Sequence, residues 1–281
     1  MPITPAISRT LLAVTLMAAL AWTAAPPAGT PQPAGAAAAT EPGADAAVEQ
    51  PFSVGLMGDF PSSPEDARRM EPLLADVNAE DLALVVHVGD IKGGSTPCSE
   101  EVLLAERERL NRIVHPVLYT PGDNEWVDCH RTGGDPAEQL ATLRQLFFST
   151  PMTLGETPIR VRRQHHGYPE NAHRFLGGIN FATLNIPGSN NNLHRDPEEH
   201  RARMDANLRW LDGTFAAAER RESAGVVLAI QANPRFEQPA DQRPAYDEFV
   251  SALRRHVLDF GKPVLLLHGD THNFRVDTPL R

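Results

Sequence analysis

Carboxylates recur in one setting along this chain. Apolar runs of strand length end in Gly-Asp four times: 52–57 before Gly58-Asp59, 82–88 before Gly89-Asp90, 116–121 before Gly122-Asp123, and 263–268 before Gly269-Asp270. With 20 Gly and 17 Asp among 281 residues, chance supplies about one Gly-Asp, and five are present. Two further runs, 181–184 and 226–230, end in amides, at Asn185 and at Gln231-Ala232-Asn233-Pro234. Glycine lets the backbone turn sharply and approach a ligand closely. Aspartates gathered at neighbouring strand ends repel and raise one another's pKa unless a cation sits among them. Hard oxygen donors favour Mg²⁺, Mn²⁺ or Ca²⁺, and His272, two residues after Asp270, extends the choice toward Zn²⁺ or Fe. One Gly-Asp alone reads as a turn or a helix cap. Four of them at the ends of apolar runs read as a site.

The elements that must position these residues follow from periodicity. Continuous apolar runs suit strands buried on both faces, and six are present. Between them lie five segments of helical period, 64–77, 99–113, 135–148, a longer one opened by Asp196-Pro197, and 244–260. Asp135 serves as an N-cap with Pro136 at the first helical position, and Met204, Leu208, Leu211 and Phe215 keep helical spacing in the fourth. Strands alternating with helices predict an α/β layered fold with much parallel sheet and ligands at the carboxyl ends of the strands.

The order Gly58-Asp59, Gly89-Asp90, Gly122-Asp123-Asn124-Glu125, Gln231, Gly269-Asp270-Thr271-His272 resembles the calcineurin-like metallophosphoesterase superfamily over about residues 52 to 277. Thr120-Pro121-Gly122 and Asn207-Leu208-Arg209-Trp210-Leu211 are similar to further segments of that family. The resemblance implies a two-sheet α/β sandwich with two divalent ions, Mn, Mg, Fe or Zn, at the strand ends. It also implies hydrolysis of a phosphomonoester, phosphodiester or nucleotide by metal-activated water. Carried over by motif, Asp90 bridges the ions, Asp59, Asp270 and His272 hold one, and Asp123 and Gln231 hold the other.

Four family histidines are replaced. Asp59-Phe60-Pro61 lacks the one in the first motif, Asn124 stands at the catalytic position, Gln231 at a ligand position, and Asp270 in the closing motif. Asn124 can hydrogen-bond a phosphoryl oxygen but cannot donate a proton as an imidazolium does, a contribution of roughly 10²-fold to 10⁴-fold. His194, at the end of the Asn-rich loop 185–193, is the candidate substitute donor, and that loop is a candidate cleft lining. Arg131 and Lys92 lie just beyond the motifs, placed to meet a phosphate or to form a solvated rim. A catalytically impaired module that binds a metal or a phosphate ligand is the alternative reading. The chain stops nine residues after His272, where the superfamily adds strands, so the last strands of the second sheet are expected to be missing.

Composition narrows the partners. Lys+Arg total 26 against Asp+Glu 36, a net charge of −10, which disfavours nucleic acid polymers and leaves small phosphorylated substrates. Arg9 precedes an uncharged run over 10–25 ending in Thr23-Ala24-Ala25, the layout of a secretory signal peptide. Residues 26–50, mostly Ala, Pro, Gly and Thr, read as a flexible linker, and 51–281 as the domain. An exported protein, periplasmic or extracellular, is expected, and an uncleaved leader would hold it at the outer face of a membrane. In that compartment Cys98 and Cys129 pair and clamp two site loops, with two free thiols or a soft-metal site with His130 as alternatives. His87 reads as a core residue, His165, His166, His173 and His200 as surface residues, and His268 lies outside the ligand positions.

Overall fold

The structure, a computed structural model, describes residues 14–16, 51–165 and 167–280. The rest of the leader, the linker, His166 and Arg281 lie outside the described residues. The first sheet runs in the order β1 (Val14–Leu16), β2 (Phe52–Met57), β3 (Leu82–His87), β4 (Val117–Tyr119). Strands β2 to β4 are parallel, and β1 is antiparallel to β2. The second sheet runs β5 (Arg162–Arg163), β6 (Ala172–Leu176), β7 (Ile179–Thr183), β8 (Gly225–Ala229), β9 (Val264–Leu267), antiparallel from β5 to β7 and parallel from β7 to β9.

Three apolar cores explain why the central strands are apolar on both faces. Leu84 and Val86 of β3 pack with Val54, Leu118, Phe181, Val227 and Ala229 between the sheets. Leu82 and Val85 of the same strand point the other way, into Met70, Leu74, Leu103, Leu110, Leu140 and Leu143. Those residues belong to α1 (Pro64–Ala79), α2 (Glu100–Asn111) and α3 (Pro136–Phe147). On the far side, Val226 and Leu228 meet Met204, Leu211 and Phe215 of α5 (Pro197–Arg220) and Phe249 and Leu253 of α6 (Asp247–Phe260). The fold is thus a two-sheet α/β sandwich with helices outside both sheets. Ser63, Ser99, Asp135 and Asp196 cap the four helices they precede, each accepting from backbone N–H groups of the first turn. Such caps contribute about 1 kcal/mol each.

The six expected strands and five expected helices are found within a few residues, and β1, β5, β6 and a short turn, α4 (Gly188–Asn191), are additional. The β5–β6 pair is hard to read because Arg162, Arg163, His173 and Arg174 interrupt its apolar pattern. His173 and His200 are corrections to the expected surface positions: both are buried. The His173 Nε2 pairs with Asn180 Oδ1 at 3.1 Å, and the His200 Nδ1 with the Asn191 carbonyl at 2.8 Å. Polar neighbours in sequence do not place a residue at the surface when the fold supplies it a partner.

His87 is fully buried at the end of β3, with Nδ1 accepting from the Gly89 N–H at 3.2 Å and its ring edge-on to Tyr119 at 5.8 Å. Burial pushes its pKa down to about 3, so the folded protein keeps it neutral. The unfolded chain binds that proton from about pH 6.5 downward, so stability present above that pH is lost as pH falls toward 3. Denaturant titration is expected to show His87→Asn, which keeps an acceptor for Gly89, losing about 2 kcal/mol less than the parent between pH 7 and pH 5. An unchanged pH slope would count against this account of His87.

Candidate functional site

The carboxyl ends of β2, β3, β4, β8 and β9 meet at one edge of the sandwich. Asp59, Asp90 and Asp270 take left-handed backbone there, at φ 54°, 55° and 72°, which turns each side chain out of its strand direction. Aspartate tolerates this region better than most residues. The preceding glycines are required by space: a Cβ on Gly122 would lie 2.0 Å from Asp90 Oδ1, and one on Gly269 would lie 2.1 Å from Asp59 Oδ2. The Gly-Asp motifs therefore pack against one another. Ten non-glycine residues among the described ones have positive φ, and all but Glu222 lie on this edge, including His272, Arg235 and the run from Ser189 to Asn192. Strained backbone concentrated in this way marks functional sites.

Hydrogen bonds tie the strand ends together at the carboxylates, within each sheet and across to the other. The Asp270 N–H donates to Asp59 Oδ1 at 2.8 Å, the Asn124 N–H to Asp90 Oδ1 at 3.2 Å, and the Asn233 N–H to Asp270 Oδ2 at 3.3 Å. The Gln231 Nε2 donates to Asp90 Oδ2 at 3.1 Å and reaches Asp123 Oδ1 at 3.4 Å, while its Oε1 accepts from the Gly188 N–H. Burial pushes Asp59 and Asp123 up to about 6 and Asp90 well above the usual carboxylate range. Neighbouring carboxylates add to each rise, Glu125 and Asp123 at Asp90, and Asp128 and Asp270 at Asp123. Beneath them Glu125 is fully buried, with Oε1 accepting from the Ile91 N–H and the Tyr119 hydroxyl and Oε2 unpartnered.

The residues expected to act on substrate are placed unequally. The Asn124 Nδ2 donates to the Lys92 carbonyl at 3.1 Å. Lys92 is a correction to the rim reading: it is buried, and its Nζ donates to the Thr96 carbonyl at 3.0 Å, so it is withheld from solvent. Burial pulls its pKa down, against the pull of Glu125 and Asp90. Arg131 is half-exposed and ion-paired with Asp128 at 2.7 Å. His272 is exposed, its Nε2 3.9 Å from Asp59 Oδ1. His194 is exposed, and no hydrogen bond joins it to the carboxylates. The His268 Nδ1 faces the Gly269 carbonyl at 3.4 Å. Cys98 and Cys129 form the expected disulfide, which joins the loop after Asp90 to the 3₁₀ turn Val127–Thr132.

Several residues escape the sequence reading. Gly188 sits over the centre, where a Cβ would lie 2.6 Å from Asp270 Oδ1 and 2.8 Å from Asp123 Oδ2. Ser189 donates to Asp128 Oδ1 at 2.7 Å. The left-handed turn that carries both is held from behind by the fully buried Arg203, which donates to Asn185 and Asn191 and to Glu199, and lies 5.0 Å over the Trp126 ring. Only the Asn190-Asn191-Asn192 run hints at left-handed backbone.

Among the described residues no group of three or more His, Cys, Asp or Glu side chains is already arranged to hold a metal ion. The donor chemistry nevertheless suits a hard divalent cation: the Asp270 N–H joins its carboxylate loop to Asp59, His272 approaches Asp59, and Asp123 and Asp270 oxygens converge under Gly188. It does not fit two, because the Gln231 amide fills the gap between Asp90 and Asp123. No family model matches the chain, and no curated protein does. Among solved structures, a purple acid phosphatase isolated from yellow lupin (Lupinus luteus) seeds is similar, with a TM-score of 0.47 and 13% identity over 80% of this chain and 41% of that one. This chain thus spans less than half of that structure's length. A likeness of this size carries no functional weight. No helix among the described residues is long and apolar enough to cross a membrane.

Gly188→Ala is expected to lower stability by about 1 to 3 kcal/mol, because the new methyl must displace the Asp123 and Asp270 side chains. Gly213→Ala, inside α5 with open space around it, should raise stability by up to about 1 kcal/mol. Denaturation midpoints that shift alike in both variants would contradict the close approach at Gly188.

Proposed function

We propose that this chain is an exported hydrolase of small phosphoesters that works with a divalent cation at the strand-end carboxylates. The observation that carries this reading is the meeting of Asp59, Asp90, Asp123 and Asp270, from both sheets, on left-handed or glycine-preceded backbone at one edge. Keeping so many carboxylates together costs stability unless positive charge joins them. When bound, a divalent cation supplies Lewis acidity, drawing negative charge from a phosphoryl oxygen. Asp59, Asp270 and His272 are the residues that would hold it, with Asp90 and Asp123 completing the negative wall.

The chain's own residues set the limits of the chemistry. Asn124 has its amide on the Lys92 carbonyl and presents no proton donor to a leaving group. Arg131, with one edge of its guanidinium on Asp128, keeps further donors for a phosphate oxygen. The disulfide fixes the segment that carries it. The acidic wall disfavours long polyanions and leaves phosphomonoesters and phosphodiesters of small molecules. A second reading, a ligand-binding module on the same fold, draws support from Asn124, whose amide lies on the Lys92 carbonyl and puts no acid beside a leaving group.

Purified protein is expected to hydrolyse nitrophenyl phosphate or bis-nitrophenyl phosphate in the presence of Mg²⁺, Mn²⁺, Ca²⁺ or Zn²⁺, with Asp90→Asn abolishing turnover. Alkyl esters should be slower by roughly 10²-fold to 10⁴-fold, the contribution of the missing proton donor. Folded protein inactive with every ion would favour the binding module, and equal rates for both ester types would remove the role given to Asn124.

A further inference from the structure

We propose that the carboxamide of Gln231 takes the place of a second cation, so that the centre has one cation position and not two. The inference rests on the reading of this edge as a cation site. Its basis is the direction of the amide. The Gly188 N–H is a donor and must face Oε1, which leaves the NH₂ group directed at Asp90 Oδ2 and Asp123 Oδ1, at 3.1 and 3.4 Å. Both carboxylates accept when ionised, so the assignment of oxygen and nitrogen is fixed by the partners.

Position reinforces direction. Gln231 is fully buried. Its N–H lies on the Ile186 carbonyl at 3.3 Å, and its own carbonyl accepts from the Gly269 N–H at 2.8 Å. The residue is therefore clamped between the end of β7 and the end of β9, with its side chain directed across to the first sheet. A cation placed between Asp90 and Asp123 would need oxygen ligands at roughly 2.0 to 2.6 Å and would meet N–H hydrogens instead. Two charge-assisted hydrogen bonds offset part of the repulsion that a cation would otherwise relieve. On the Asp270 side, the Asp59 and Asp270 carboxylates receive backbone N–H groups, from Asp270 and Asn233, and, among the described residues, no side-chain amide lies across them. Gln231 thereby decides how many ions the edge accepts and confines them to the side of Asp270.

The test is metal stoichiometry, measured on the full chain by equilibrium dialysis against Mn²⁺ and Zn²⁺ with elemental analysis, for the parent, Gln231→His and Gln231→Glu. Each substitution replaces the donor with a ligand, and Glu keeps the shape of Gln. The expected result is one equivalent in the parent and one more in either variant, with the thermal midpoint of Gln231→Glu rising on Mn²⁺ addition by more than that of the parent. Variants that bind no more than the parent, or a parent that binds two equivalents, would overturn the proposal. A parent that binds none while a variant gains one would remove the cation reading of the parent and still support the role of Gln231.

Discussion

Like charges crowded at the mouth of a sandwich set the terms for everything around them. Asp59, Asp90, Asp123 and Asp270 arrive from both sheets, with Glu125 and Asp128 buried just behind. In water such groups would spread apart; here the strands that carry them are locked by three apolar cores. The repulsion is met locally, by backbone N–H groups of Asn124, Asn233 and Asp270 and by the Gln231 amide. Burial drives the Asp59 and Asp123 carboxyls up to about 6, and neighbouring carboxylates add to the rise. A proton or a cation would complete the balance, at an edge where three of the aspartates sit on left-handed backbone.

Two unlike devices hold the loops that frame this centre. On the first-sheet side the Cys98–Cys129 disulfide ties two loops covalently, a link that in the chain-entropy account restricts the unfolded state by about 3 to 4 kcal/mol. On the second-sheet side a buried polar network does the same work without a covalent bond. Arg203 gathers Asn185, Asn191 and Glu199, Asn207 donates to the Asn185 carbonyl, and Asn185 donates to Glu170, which Arg144 grips with two hydrogen bonds. Apart from the Asn185 Oδ1, which has no partner, the buried polar atoms of these members are hydrogen-bonded, and satisfaction is the condition under which a buried network rigidifies instead of weakening a core.

How much of this can be read from residues alone depends on whether the cause is local. The Gly-Asp endings are local: the glycine is demanded by close packing and the aspartate by the turn, so fold class, strand ends and the converging carboxylates were legible. The disulfide followed from compartment and count. The role of Gln231 was not legible, because a ligand and a hydrogen-bond donor have the same letter and only Gly188, 43 residues away in sequence, decides between them. Lys92, His173 and His200 were misplaced for the same reason. Their partners, a carbonyl four residues on, an asparagine across a hairpin and a carbonyl from a left-handed turn, come from the fold and not from neighbouring composition.

The bond from the Asp270 N–H to Asp59 Oδ1 joins residues 211 positions apart and closes the open edge of the sandwich. Its second-sheet end follows β9, an edge strand whose residues are all only half-buried. Segments with few buried contacts open first and at least cost. The centre is therefore also a seam. A ligand bound there would span a buried inner wall and a half-buried outer one, so its binding would oppose the fraying of β9.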